Sequence, residues 1–418
     1  MKTIIASLGA MLSAAILHAA EPDAGFVAHE WGTFTSVQGA DGVQMLWNPL
    51  VAPDLPAFVY DRSRPRSAKA VKAFLVAGKT AFTCRQRMET PVIYFYSDRA
   101  RTLDVAVNFP QGTVTEWYPQ ESAADLGIRT GAVAKARPAL HWERVQVLPK
   151  TESPDAAPPA DPSGSHYFAA RETDSARLRV TGEDKKSEVE KFLFYRGVGS
   201  FAAPLTVKLD SADPKRLSLT NSGTEKLRSL FIYDVRADGG SWMPMENLRP
   251  GETRTLVLDP SSGSELATLP AALVREGLYE RESAAMVKTW ESSWFAERGL
   301  RVLYTLPRAW TDRTLPLAIT PAPRETARVM VARAEIITPE MEAKLLAQME
   351  RYISAEPAAR PKIVADTRAL GLGRFTEAVL RRVISAAPRS PEFSSLSWEL
   401  LMSASFPPKP AASPAAAN

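Results

Sequence analysis

From Phe26 to about Val180, apolar and polar positions alternate with a period of two, the pattern of half-buried strands. The first such segment is Phe26-Val-Ala-His29-Glu30-Trp31-Gly32-Thr-Phe34-Thr-Ser-Val37. A second, Met88-Glu89-Thr90-Pro91, runs into a strand with Val92, Tyr94 and Tyr96 on one face and Ile93, Phe95 and Ser97 on the other. Turn residues at Ser97–Arg101 and Pro110–Gly112 fold it back through Leu103–Phe109 and Val114–Tyr118, a three-strand meander. Thr90, which precedes proline, is expected to be extended and Pro91 to begin the strand, leaving Glu89 at a strand end. A further strand carries Leu140-His141-Trp142-Glu143 as far as Val147.

Between about Glu188 and Leu258 short strands follow at sandwich-like spacing: Lys191–Tyr195, Leu205–Leu209, Leu217–Leu219, Leu230–Tyr233 and Thr255–Leu258. The period then changes. Leu266–Arg298 reads as one helix with Met286, Trp290 and Trp294 on a single face. Strands return at Leu300–Thr305, Leu315–Ile319 and Ala327–Val331, isolated among helices, so they should complete an earlier sheet. Thr338-Pro339-Glu340 is a helix start, and two more helices are expected at Pro361–Leu370 and Phe375–Ile384.

The pattern predicts a β-rich α+β fold: two sandwich-like β portions with a helical insertion and a C-terminal helical layer. The expected divisions are a signal peptide over 1–20, an N-terminal β domain over 21–185 and a β-sandwich over 186–337 with its helical insertion at 265–298. A helical region over 338–405 and a disordered Pro/Ala-rich tail over 406–418 follow. Lys150–Ser165, rich in proline, should be an exposed loop.

The N-terminus changes the expected compartment. Lys2, the apolar run Ile4–Leu17 and the small pair Ala19-Ala20 before Glu21 have the layout of a secretory signal, which implies a periplasmic or secreted protein. No later segment is long and apolar enough to span a bilayer as a helix. With one cysteine, Cys84, no internal disulfide can form. The formal charge of +4 is weak and not clustered into a basic stripe, which argues against nucleic-acid binding. Gly-x-Ser-x-Gly, phosphate-loop, dinucleotide, His-Glu-x-x-His and Cys-x-x-Cys motifs are all missing from the sequence.

Three kinds of chemistry remain. Five tryptophans adjoin glutamate, and sugar sites combine aromatic platforms with carboxylates. The leading expectation is therefore a glycan or other small extracytoplasmic ligand, bound through Glu30, Trp31, Glu89, Tyr94, Tyr96 and Trp117. Trp290 and Trp398 belong to helices, where the indole should be core and the neighbouring glutamate solvent-facing. The runner-up is a metal-dependent hydrolase or oxygenase. His141 and Glu143 share a strand face, and with His29 and His166 they would supply ligands for Zn or Fe, with Glu89 as base. In His29-Glu30-Trp31 the alternation puts His29 with Trp31 and Glu30 opposite. Third, Arg85 and Arg87 flank Cys84 and would lower its pKa, although an incidental buried thiol is the plainer reading. A structural envelope protein, with all these residues in core or rim, is the remaining alternative.

Overall fold

The computed structural model describes residues 23–49, 55–61, 83–122, 139–148, 157–160, 164–182, 185–213, 215–236, 239–258, 268–386 and 391–405. The expected signal peptide, the tail and most of the 150–165 loop lie outside the described residues. Strand exceeds helix, 44% against 30%, so the class is the β-rich α+β one the periodicity predicts. Among the described residues no helix is long and apolar enough to cross a membrane.

The segment around His29 forms β1 (Asp23–Gly39), a central strand of the largest sheet. On one side it pairs antiparallel with β3 (Gln86–Ser97), followed by β9 (Leu193–Gly199), β5 (Gly112–Tyr118) and the short β2 (Tyr60–Asp61). On the other side β17 (Pro323–Ile337) lies parallel to it, followed by β15 (Gly299–Leu306), β12 (Leu227–Arg236) and β13 (Gly239–Leu248). The late strands thus complete a sheet begun at the N-terminus, and this sheet takes strands from both sides of residue 186.

A five-stranded sheet covers part of one face, in the order β16 (Leu317–Thr320), β4 (Arg101–Asn108), β6 (Ala139–Leu148), β7 (Arg177–Thr181) and β8 (Ser187–Glu190). A three-stranded sheet of β10 (Leu205–Leu209), β11 (Arg216–Asn221) and β14 (Thr253–Val257) packs into the same core, with Gln38 of β1 bonded to the β10 backbone. The expected meander is corrected here. β3 and β5 belong to the large sheet while β4 crosses to the facing one, so both hairpin turns are inter-sheet connections. Period-two alternation identifies strands but does not say which sheet takes them.

The two faces of the large sheet bury different cores. Phe26, Ala28, Phe34, Ile93 and Phe95 pack between the sheets with Val105, Trp142 and Leu178. Trp31, Val92 and Tyr94 pack on the other face with Met286, Trp290 and Trp294, the helical stripe read from the sequence. The helix carrying that stripe is not continuous. Gly277, at φ 115, separates α1 (Thr268–Arg275) from α2 (Glu280–Glu291), and a π turn at Ser292–Ala296 ends it. A left-handed residue cannot continue a right-handed helix, which divides the single element expected.

After the short α3 (Arg308–Thr314) and β17, Thr338 caps α4 (Pro339–Ser354), its side chain accepting from the Met341 N–H. α5 (Arg360–Arg368), α6 (Thr376–Ala386) and α7 (Pro391–Ser405) complete the helical layer, stacked with Trp47 on the Val37 end of β1.

Candidate functional site: two clefts on the helix face

A row of polar side chains crosses the helix face of the large sheet from strand to strand. Arg301 on β15 lies opposite Glu335 on β17, and Arg333 of β17 opposite Thr35 of β1. Thr35 and Thr33 lie opposite Arg87 and Glu89 of β3, and Arg196 of β9 opposite Glu116 of β5. The groups are closely paired. Glu335 accepts from Arg301 at 3.1 Å and from Arg333 at 2.7 Å, and Arg87 donates to Glu116 at 2.8 Å. Thr35 donates to Glu89 Oε2 at 2.6 Å, while Arg374, from the turn before α6, donates to Glu89 Oε1 at 2.5 Å. Burial alone would raise the Glu89 carboxyl. Arg374, Arg196, the Thr35 hydroxyl and Arg87 outweigh it and hold Glu89 below its ordinary value.

The sheet is irregular along this row. Register shifts fall between Trp31 and Thr33 against β3, between Met88 and Val92 against β9, and between Val114 and Glu116 of β5. One extra residue in β3 puts Met88 and Ile93, five apart, on the same face. Thr90 occupies this bulge at φ 44, so the extended conformation expected of it is corrected. Pro91 and Glu89 lie within β3, not at its end. A β-branched residue at positive φ is strained, and both strain and bulges gather where a sheet re-aims side chains for function.

Among the described residues, two clefts on this face gather polar side chains. The smaller, about 290 Å³, is lined by His166, Thr289, Trp290, Ser292, Ser293, Glu297 and Arg374, at the near end of the charged row. The larger, about 750 Å³, lies where β1 and β3 meet the start of α2. Tyr96 and Tyr279 wall it, their rings crossing at 81° with centroids 4.8 Å apart, and Tyr279 is 46% exposed. Asp98, Asp174, Glu280, Arg281 and Arg324 supply its charge, with Arg281 donating to Asp174 at 2.6 Å.

Behind the tyrosines sits His29, fully buried, with the Tyr279 ring centroid 4.4 Å away. Glu282 accepts from His29 Nδ1 at 2.7 Å, from the Tyr96 hydroxyl at 2.9 Å and from the Tyr279 N–H at 2.8 Å. His29 Nε2 has no partner among the described residues. Burial, then the charge of Glu282, pushes the Tyr96 phenol far above its ordinary range, so it serves here as a neutral donor.

Few of the expected site residues keep their expected roles. Trp31, Tyr94 and Trp117 are buried in the two cores, and Tyr96 of the proposed aromatic surface lines the larger cleft. Glu30 is buried opposite His29 and Trp31, as alternation predicts, where it accepts from Tyr195 and from Arg328 at 2.5 Å. These groups were read as a surface because β1 and β3 alternate. Both strands are interior strands covered on both faces, so alternation there separates two cores and not core from solvent.

The ligand set proposed for Zn or Fe does not come together. His29 is tied to Glu282. His141 and Glu143 form an exposed pair at 3.4 Å on the facing sheet, and His166 Nε2 accepts from Arg196 at 3.0 Å. Among the described residues no group of three or more His, Cys, Asp or Glu could hold a metal ion. Glu89 is held by Arg374 and Thr35, which leaves it no base role beside those histidines. Cys84 is buried and bridges Trp47 through its backbone, and burial pushes its thiol up to about 12 despite Arg87. Trp398 is 39% exposed beneath Arg381 rather than core, and Glu399 accepts from Tyr352.

Tyr279, Glu282, Ser293 and Arg374 escaped the sequence reading. Gly277 before Tyr279 and the Gly371-Leu-Gly373 run before Arg374 mark turns, but nothing local says what those turns face.

No protein-family model and no curated protein matches the chain. Among solved structures it is similar to the yeast delta-COP-I mu-homology domain, alone at a TM-score of 0.29 and complexed with the Dsl1 WxWxV peptide at 0.27. Each match has 7% sequence identity and covers 75% of this chain and 98% of the other. Scores this low carry no argument.

Proposed function

We propose that the protein is exported and binds a saccharide in the larger cleft. The observation that carries this reading is the pairing of an exposed aromatic with carboxylates around a space of about 750 Å³. Ligand sites of small molecules span about 300–1,000 Å³. The ring of Tyr279, standing at right angles to Tyr96, offers an apolar face to a sugar ring. Asp98 and Asp174 offer acceptors to its hydroxyls, and Arg281 and Arg324 donate.

Support also comes from how rigidly the wall is built. Glu282 ties the Tyr96 hydroxyl and the Tyr279 backbone together, so the two rings are set before a ligand arrives. The reading keeps the carbohydrate expectation but moves it from Trp31, Tyr94 and Trp117 to Tyr96 and Tyr279. Isothermal titration of the full chain against a panel of neutral and acidic oligosaccharides tests it. A member of the panel should bind, with affinity lost in Tyr279→Ala; identical affinities in both proteins would overturn it.

A further inference from the structure

We infer that the ligand of the larger cleft is an oligosaccharide whose chain passes over Tyr279 into a third cleft beside it; the inference rests on the saccharide reading above and extends it. The third cleft, about 240 Å³, lies at the end of the sheet where β15 runs towards α3 and β17 begins. Its lining includes Glu276, Gly277, Thr305, Arg308, Glu325 and Thr326. The two clefts share a wall. Glu276 and Gly277 line the third, while Tyr279, Glu280 and Arg281, which follow at once in the chain, line the larger. On β17, Arg324 lines the larger cleft and Glu325, about 3.3 Å further along the strand, lines the third. Val27 of β1, paired with Glu325, lines the larger again. Tyr279 stands on this divide: burial, then the negative charge of Glu325, raises its phenol above its ordinary value.

An aromatic ring exposed between two polar clefts is a platform for an inner unit of a sugar chain, whose neighbours reach polar groups on either side. The third cleft has acceptors to offer them. Glu325 is exposed and Glu276 half-buried, and among the described residues neither carboxylate has a hydrogen-bond or ion-pair partner. An ionised carboxylate only accepts, so each suits a sugar hydroxyl. A bound cation fits less well, because among the described residues no group of three or more His, Cys, Asp or Glu could hold a metal ion. Size points the same way. A site that works alone spans about 300–1,000 Å³, so a space of about 240 Å³ suits a subsite of the larger cleft better than a site of its own. Arg308 sets one wall of it, donating to Asp312 at 2.8 Å and to the Thr326 carbonyl at 2.5 Å. Gly277, whose φ of 115 favours glycine, leaves the turn between the clefts without a side chain at that point.

The test is calorimetric titration of the full chain with malto-, cello- and chito-oligosaccharides of each length from the single sugar to the hexamer, alongside Glu276→Ala, Glu325→Ala and Tyr279→Ala. In the series that binds, affinity should rise about tenfold or more with chain length and then level off once both clefts are filled. Glu325→Ala and Glu276→Ala each remove an acceptor to the longer chains only. Each should weaken the longest chain about tenfold and leave the shortest binding member unchanged. Tyr279→Ala should weaken short and long chains alike. Affinity that does not depend on length, or wild-type affinity for the longest chain in both glutamate variants, would overturn the inference and leave a saccharide in the larger cleft standing. No binding by any member of the three series would overturn both. Far-UV circular dichroism identifies a variant that fails to fold, and the other glutamate variant then decides the matter.

Discussion

His29 Nδ1 lies 2.7 Å from Glu282 Oε2, joining the first long strand to a helix 253 residues later in the chain. Glu282 is buried and accepts from three donors at once. Glu282→Ala would strand the Tyr96 hydroxyl, the Tyr279 N–H and His29 Nδ1 without an acceptor. A stability loss of about 3 kcal/mol is expected from chemical denaturation, against about 1 kcal/mol for Tyr96→Phe, which removes donor and demand together. Equal losses in the two variants would contradict the role given to Glu282.

The charged row makes stability sensitive to acid. Glu335, like Glu89, is pushed up by burial but held lower overall, here by Arg333 and Arg301. A carboxyl whose folded pKa is depressed stabilises the fold above its unfolded value and loses that contribution as pH falls through the folded one. Denaturation midpoints should therefore be flat near neutral pH and fall progressively below about 4.5, the ordinary value of both groups. Glu89→Gln should lessen the fall. A midpoint that rises on acidification would show that these carboxyls are not stabilised in the folded state.

Gly32 allows β1 to pass the bulge of β3. A Cβ there would stand 2.8 Å from Pro91 Cα, a backbone atom with no room to give. Gly32→Ala should cost about 1–3 kcal/mol, as overpacking of a rigid site does. It should also disturb both clefts, because β1 and β3 carry groups that support each of them. Gly164→Ala, where a Cβ would meet nothing within 4 Å, is the control for φ strain without crowding.

Cys84 should be inert in the folded protein. Its thiol is raised to about 12 by burial, and the thiolate is the reactive form. Labelling by a maleimide at pH 7.5 should be slow in buffer and complete in denaturant. Rapid labelling of the folded chain would show the thiol to be accessible.

The local pattern revealed more of the fold than of the site. Alternation correctly set His29 and Trp31 against Glu30, the Met286, Trp290 and Trp294 stripe correctly found a buried helix face, and Thr338-Pro339 correctly marked a cap. Those features depend on neighbours within a few residues. The clefts do not. Arg374 reaches Glu89 across 285 residues, and Glu282 reaches His29 across 253, so neither pairing leaves a spacing to read. Thr90 misled for a related reason: the preference of a residue before proline for extended backbone is local, and three adjoining irregular strands overrode it.

The larger cleft is the centre of this account, and Tyr279 is the more exposed of its two rings. The most direct measurement is saccharide titration followed by NMR, with tyrosine ring resonances assigned from Tyr96→Phe and Tyr279→Ala. The account predicts that a binding sugar shifts the Tyr279 ring signals first and those of Tyr96 with the same dissociation constant. Saturable binding that leaves both rings unmoved would contradict it.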